Sequence, residues 1–298
     1  MDMHDSPKPR YLDQGRAWTS TAGEGPRLHG RRIDGPGPRL HFLHGNGFCG
    51  GVYWPFLRGL AQDHALFCHD LEGHGASEPP ERFSGVGALV ARIPQVIAEQ
   101  QLQDRPLVGI GHSFGAALTL AVAAANPGLF RALVLLDPIV MPPWIWGGVR
   151  LAARLGRNPI SQAARRRRSR WASAEEVAAR LRGRGIYQGW TEEALACFVA
   201  HATRDDADGS RVLCCPTSLE AAIFDHPVWP WGAFRRLQVP TLFLYGDRSY
   251  PFFPAAARRA AGYPPVTVQR IAGGHCFMLE DPAASEAAVR AFLAKQGL

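Results

Sequence analysis

The segment Gly111-His112-Ser113-Phe114-Gly115 follows the apolar run Leu107-Val108-Gly109-Ile110 directly and precedes Ala116-Ala117-Leu118-Thr119-Leu120. Read together, these are a strand, one sharp turn and a helix. A serine at the apex of so tight a turn is pushed out of the chain, with its hydroxyl standing above the edge of a sheet. The glycines two residues to either side are needed because a side chain there collides with the crossing backbone. A chain built around such an elbow is committed to a strand-to-helix crossover, and hence to a parallel sheet with helices packed on it.

The rest of the sequence supports that architecture. Strand-like runs are Leu40-His41-Phe42-Leu43, Ala65-Leu66-Phe67-Cys68, Ala132 to Leu136, Val239 to Tyr245 and Val266 to Gln269. Helical spacing is found over Val52 to Leu60, over Val86 to Leu102 (with a kink expected at Pro94), after the elbow to about Ala125, and from about Ala283 to Lys295. Residues 1–27, rich in glycine and proline, are expected to form a loose lead-in. The alternation stops between Asp137 and Val239, where no clear strand is read. There Ser173-Ala174-Glu175-Glu176 forms a capping box for a helix through Arg182, and Thr191 caps another through Ala202. So long a stretch is not a loop. The expected organisation is a core domain of residues 1–137 and 235–298, with a helical cap inserted at 138–234.

At 298 residues, 46% hydrophobic and 20% charged, the chain has an ordinary globular composition. It carries 33 Lys+Arg against 26 Asp+Glu, and five of the cations fall within Arg165–Arg170. The plain expectation for that run is a solvated helix face. A surface for weak peripheral membrane association through the Arg-rich cap is the other reading. No nucleic-acid motif accompanies the run, so nucleic acid is not expected as a partner. The amino-terminal residues lack the apolar core of a secretory signal, and no run approaches the roughly 18 apolar residues of a membrane helix. The six cysteines form no CxxC pair and no zinc spacing. A cytoplasmic protein with reduced thiols, needing no metal or organic cofactor, is expected. Asp205-Asp206-Ala207-Asp208-Gly209 lacks the calcium-loop pattern and reads as a polar turn. His41, His69, His74 and His112 read as turn or packing residues.

A serine hydroxyl attacks only when a base takes its proton, and the base, usually histidine, needs a carboxylate to hold its tautomer. His275, in Gly273-Gly274-His275-Cys276-Phe277, follows the last strand. Asp247 follows the strand before it, in Gly246-Asp247-Arg248, and is preferred as the acid on local context. Asp137, at the end of an earlier strand, is the rival. All of these lie past carboxyl ends of strands, where an α/β sheet binds ligands. Negative charge developing on a carbonyl oxygen calls for two fixed N–H groups. Phe114, following the serine, and Asn46, in the loop His44-Gly45-Asn46-Gly47-Phe48, are the expected oxyanion-hole donors. Trp144, Trp146, Tyr187, Trp190, Phe198 and Phe224 either line an acyl pocket or form the core of the cap.

These motifs together resemble the α/β-hydrolase fold superfamily, in its cap-bearing, serine esterase or lipase-like branch. His44-Gly45-Asn46-Gly47-Phe48 is similar to its oxyanion loop, and Asp70-Leu71-Glu72-Gly73-His74-Gly75-Ala76-Ser77 is similar to its Asp-x-x-Gly-x-Gly-x-Ser turn. The likeness spans about residues 28–137 and 235–298. Epoxide hydrolases and haloalkane dehalogenases of the superfamily use an aspartate where Ser113 stands, which argues against both. Prolyl iminopeptidases typically show His-Gly-Gly-Pro-Gly, which is absent. The resemblance implies a mostly parallel sheet flanked by helices, and cleavage of an ester of a fairly hydrophobic small molecule through an acyl-enzyme. Thioesters, lactones and carbon–carbon bonds remain open as substrates. So does a small-molecule receptor with the same fold and little turnover, and so does the oligomeric state.

Overall fold

The computed structural model describes residues 10–298. Eleven strands and twelve α-helices are found among them. The core opens with β1 (Arg16–Ser20), β2 (Leu28–Ile33) and β3 (Arg39–Leu43), followed by α1 (Trp54–Leu60), β4 (Ala65–Asp70) and α2 (Val86–Glu99). The elbow joins β5 (Leu107–His112) to α3 (Phe114–Ala125), and β6 (Ala132–Leu136) follows. The intervening region holds α4 (Pro143–Arg154), α5 (Pro159–Arg166), β7 (Arg170–Trp171), α6 (Ala174–Leu181), α7 (Glu192–His201), β8 (Thr203–Asp205), β9 (Arg211–Leu213) and α8 (Thr217–Phe224). The chain returns through α9 (Trp231–Arg236), β10 (Thr241–Gly246), α10 (Phe253–Ala260), β11 (Val266–Ile271), α11 (Phe277–Glu280) and α12 (Pro282–Lys295).

Eight strands form one sheet in the order β1-β2-β4-β3-β5-β6-β10-β11. From β4 to β11 every pairing is parallel; β1 and β2 are antiparallel additions at one edge. The two faces are read most simply in β6. Leu133 and Leu135 pack into one core with α2 and α3, while Val134 and Leu136 pack into the other with α1 and α12. Successive side chains of a strand point to opposite faces, so a run as apolar as Ala132-Leu133-Val134-Leu135-Leu136 demands cover on both.

Two expectations need correction. Within the lead-in expected over residues 1–27, residues 1–9 lie outside the described residues, but β1 is a regular strand paired with β2. Trp18 holds it down by stacking on Phe67, with ring centroids 4.5 Å apart, and by donating its indole N–H to Cys68 O. One buried tryptophan outweighs the loop-forming composition around it. The inserted region, expected to lack strands, carries a small antiparallel sheet ordered β7-β9-β8. Strands of two and three residues show no periodicity to detect. The expected boundary at residue 234 falls inside α9, which packs on α3. Both expected caps are present: Ser173 Oγ accepts from Glu176 N, and Thr191 Oγ1 from Ala194 N.

Candidate active site

β3 pairs with β4 on one side and β5 on the other, so the chain order reverses there and a crevice opens at the strand ends. Ser113 stands at this crevice with φ 55° and ψ −116°, a conformation unusual for a residue with a side chain. Such backbones cost about 1–3 kcal/mol and persist only when the surroundings impose them. A Cβ at Gly115 would lie 2.3 Å from Leu43 O, and one at Gly111 would lie 2.6 Å from the Ala116 backbone. The elbow is pressed against β3 and against its own helix, which is why glycine holds both positions.

The Ser113 hydroxyl lies 2.9 Å from Nε2 of His275. His275 Nδ1 lies 2.5 Å from Oδ2 of Asp137, whose carboxylate is fully buried. Asp137 also accepts from Gly246 N at 2.9 Å and from the Ser249 hydroxyl at 2.5 Å. Three donors converge on one carboxylate, leaving it an acceptor with a fixed direction. The imidazole therefore carries its proton on Nδ1 and turns Nε2 toward the serine.

Asp247, expected to hold the histidine, does not reach it. Its Oδ1 accepts from Gly273 N at 2.9 Å, and Arg248 lies 3.5 Å away. Asp247 braces the turn that carries His275, while Asp137 touches the ring. The physical reason is the strand order β6-β10-β11, which places both aspartates near the loop after β11. Asp137 adopts φ 42°, a turn that directs its carboxylate to the ring. Nothing in the local sequence of either aspartate encodes that dihedral.

Further hydrogen bonds hold the assembly. His112 Nε2 donates to the carbonyl of His275 at 2.9 Å, so its Nδ1 accepts from the Tyr53 hydroxyl at 2.7 Å. Tyr53 in turn accepts from Gly45 N at 3.1 Å. Burial, and then the nearby His275, hold the His112 pKa well below its ordinary value, so it stays neutral. This chain ties the loop after β3 to the loop after β11; no local motif links His112, read from sequence as a turn or packing residue, to Tyr53.

Asn46 and Phe114 both face the cavity beside Ser113. Among the described residues, neither backbone N–H meets a protein acceptor. The Asn46 side chain points elsewhere, donating to Glu220 O of α8 at 2.9 Å. Glu220 is bound at 2.8 and 2.9 Å by Arg167, which also reaches the Tyr187 hydroxyl. The arginine run is exposed as expected except at Arg167, and most of it is also paired: Arg165 with Asp225, Arg167 with the buried Glu220, Arg168 with Glu176, and Arg170 with Asp206 and Asp208. The acidic turn at residues 205–209 supplies part of that pairing.

The cavity beside Ser113 has a volume of about 290 Å³. Its walls are chiefly aliphatic, including Ile139, Met141, Ile145, Val149, Ile223 and Val228. Of the aromatic residues weighed for this role, Phe224 lines it. Tyr187, Trp190 and Phe198 pack edge-on against one another, and the latter two against Phe48. Trp146 packs on Trp229, and Trp144 faces solvent. On the other side of His275 and Tyr250, an open cleft of about 530 Å³ is lined by Gln188, Arg248, Ser249 and Glu280. Among the described residues no cluster of His, Cys, Asp or Glu is placed to hold a metal, and no helix is long and apolar enough to cross a membrane.

A model of the alpha/beta hydrolase family matches residues 42–288. Lipase LipV of Mycobacterium tuberculosis is 36% identical over 114 residues, 38% of this chain and 42% of that protein. A pimeloyl-[acyl-carrier protein] methyl ester esterase of Xanthomonas oryzae pv. oryzae is 37% identical over 95 residues, 32% of this chain and 35% of that protein. The matched segments thus span about two fifths or less of these relatives. An alpha/beta hydrolase of known structure from Novosphingobium aromaticivorans superposes with a TM-score of 0.75, covering 94% of this chain and 98% of that one at 22% identity. That likeness is one of fold.

Proposed function

The chain belongs to the alpha/beta hydrolase family, and from that premise we propose that it is a serine hydrolase cleaving carboxylic esters with an apolar acyl part. The observation that carries the reading is the continuous line from Asp137 through His275 to the Ser113 hydroxyl. Ser113 attacks the carbonyl carbon while His275 Nε2 takes its proton. Asp137 keeps the ring in the right tautomer and stabilises the imidazolium that forms. The N–H groups of Asn46 and Phe114 receive the charge on the carbonyl oxygen, helped at Phe114 by the positive end of α3. His275 then returns the proton to the leaving alcohol and activates water against the acyl-enzyme.

The aliphatic cavity beside Ser113 suits the acyl chain, and the open cleft lined by Arg248, Ser249 and Gln188 suits a polar alcohol. The named relatives are a lipase and a methyl ester esterase, which agrees with an ester as the bond cleaved. The test is turnover of p-nitrophenyl esters of increasing acyl length. Hydrolysis lost in Ser113→Ala supports the reading. Ester turnover retained by that variant, or none by the native protein, refutes it.

A further inference from the structure

With Arg165, Arg167, Arg168 and Arg170 occupied by carboxylates, a different surface stands out. No acidic residue occurs between Asp137 and Glu175, a stretch holding eight arginines. Its first helix, α4, has no buried residue. Trp144, Leu151 and Leu155 are 69, 59 and 60% exposed. At i, i+7 and i+11 they fall on one stripe of the helix and its carboxyl end. Arg150 and Arg154 flank the stripe on one side and Arg157 follows in the next turn. Among the described residues no carboxylate lies within ion-pair distance of Arg150, Arg154, Arg157 or Arg166. On the other flank, Ile145 and Val149 line the cavity beside Ser113.

An exposed apolar stripe this pronounced marks an interaction surface. The arginines beside it, which have no carboxylate partner among the described residues (Arg150 lies 5.0 Å over the Trp146 ring), select an anionic occupant, and the apolar side chains select one that accepts insertion of a tryptophan and two leucines. An anionic phospholipid bilayer offers both, headgroup charge above hydrocarbon, in the order the helix presents them. We infer that α4 docks on anionic lipid surfaces, with Trp144, Leu151 and Leu155 inserted and Arg150, Arg154 and Arg157 among the headgroups. The same helix walls the cavity, so docking sets the cavity beside the lipid.

The test is flotation of the full-length protein with vesicles of phosphatidylcholine alone or mixed equally with phosphatidylglycerol. It is read without turnover, so its outcome is separate from that of the hydrolase reading. The native protein is expected on the mixed vesicles only, and to be released by high salt. Arg150→Gln/Arg154→Gln/Arg157→Gln lowers partitioning about 100-fold. Trp144→Ser/Leu151→Ser/Leu155→Ser lowers it at least about 10-fold. None of these six side chains touches the cavity, so both variants keep native melting behaviour and hydrolysis of a soluble short-chain ester. Failure of the native protein to float with the mixed vesicles overturns the inference, as does binding that both variants retain. So does light scattering that shows a dimer which the serine variant splits, since the face then belongs to a second copy of the chain.

Discussion

At the scale of single residues, the two aspartates separate roles that the sequence left in competition. Asp137→Asn can still accept from Gly246 or donate to His275, but not hold the same tautomer, so kcat is expected to fall roughly 10³–10⁴-fold. Asp247→Asn keeps an oxygen for Gly273 N and is expected to change kcat only a few-fold, since it touches the turn and not the ring. Steady-state kinetics on one ester checks both, and the reverse ranking contradicts the assignment. Ser113, His275, Asn46 and Phe114 were legible because each stands in a local motif beside a strand end. Asp137 and Asp247 also follow strand ends, and local context favours Asp247, which is not the one that reaches the ring. What divides them is a backbone dihedral and a strand order, and neither is a local property.

At the scale of elements, α5, α8 and the loop after β3 are joined by one ion pair. Arg167 arrives from the end of α5, Glu220 sits in α8 and is almost entirely buried, and the Glu220 carbonyl holds Asn46. Burial raises the Glu220 pKa and Arg167 opposes that shift. Arg167→Leu leaves a carboxylate stranded in a low-dielectric site and is expected to cost roughly 3 kcal/mol of unfolding free energy. Arg167→Leu combined with Glu220→Leu is expected to recover much of it, because an apolar pair needs no compensation. Urea denaturation of the two variants measures the difference; a double variant less stable than the single one refutes a desolvation origin. The sequence suggested a solvated run here because charge runs usually are solvated. It did not reveal that carboxylates distant in the chain, in α6, α8 and the turn before β9, would meet the arginines one by one. The core strands and long helices were legible from their apolar patterns, whereas β1 and the three strands of the inserted region were too short or too polar to register.

At the scale of the whole molecule, the fold confines neutral histidines. Burial holds His41 at about 3 and His74 and His201 at about 4, and keeps His44, His69 and His112 well below their ordinary value. An unfolded chain takes up these protons from about pH 6.5 downward while the folded one refuses them, so stability present above pH 6.5 is lost as the pH falls toward 4. Asp70, raised by burial to about 7, acts in the opposite sense, since folding favours its protonated form. Glu220, also raised by burial, acts the same way, and two carboxyls set against six imidazoles do not reverse the trend. Scanning calorimetry is expected to show Tm dropping steeply between pH 6.5 and about 4; a level Tm across that window contradicts the neutral burial of these rings. The same fold brings residues 113, 137 and 275 together from three strand ends, and the account rests on what that does to one hydroxyl. Intact-mass measurement after brief exposure to a fluorophosphonate tests it most directly. The account predicts one adduct per chain, mapped to Ser113 and strongly slowed in His275→Ala; no adduct, or one that persists in Ser113→Ala, would contradict it.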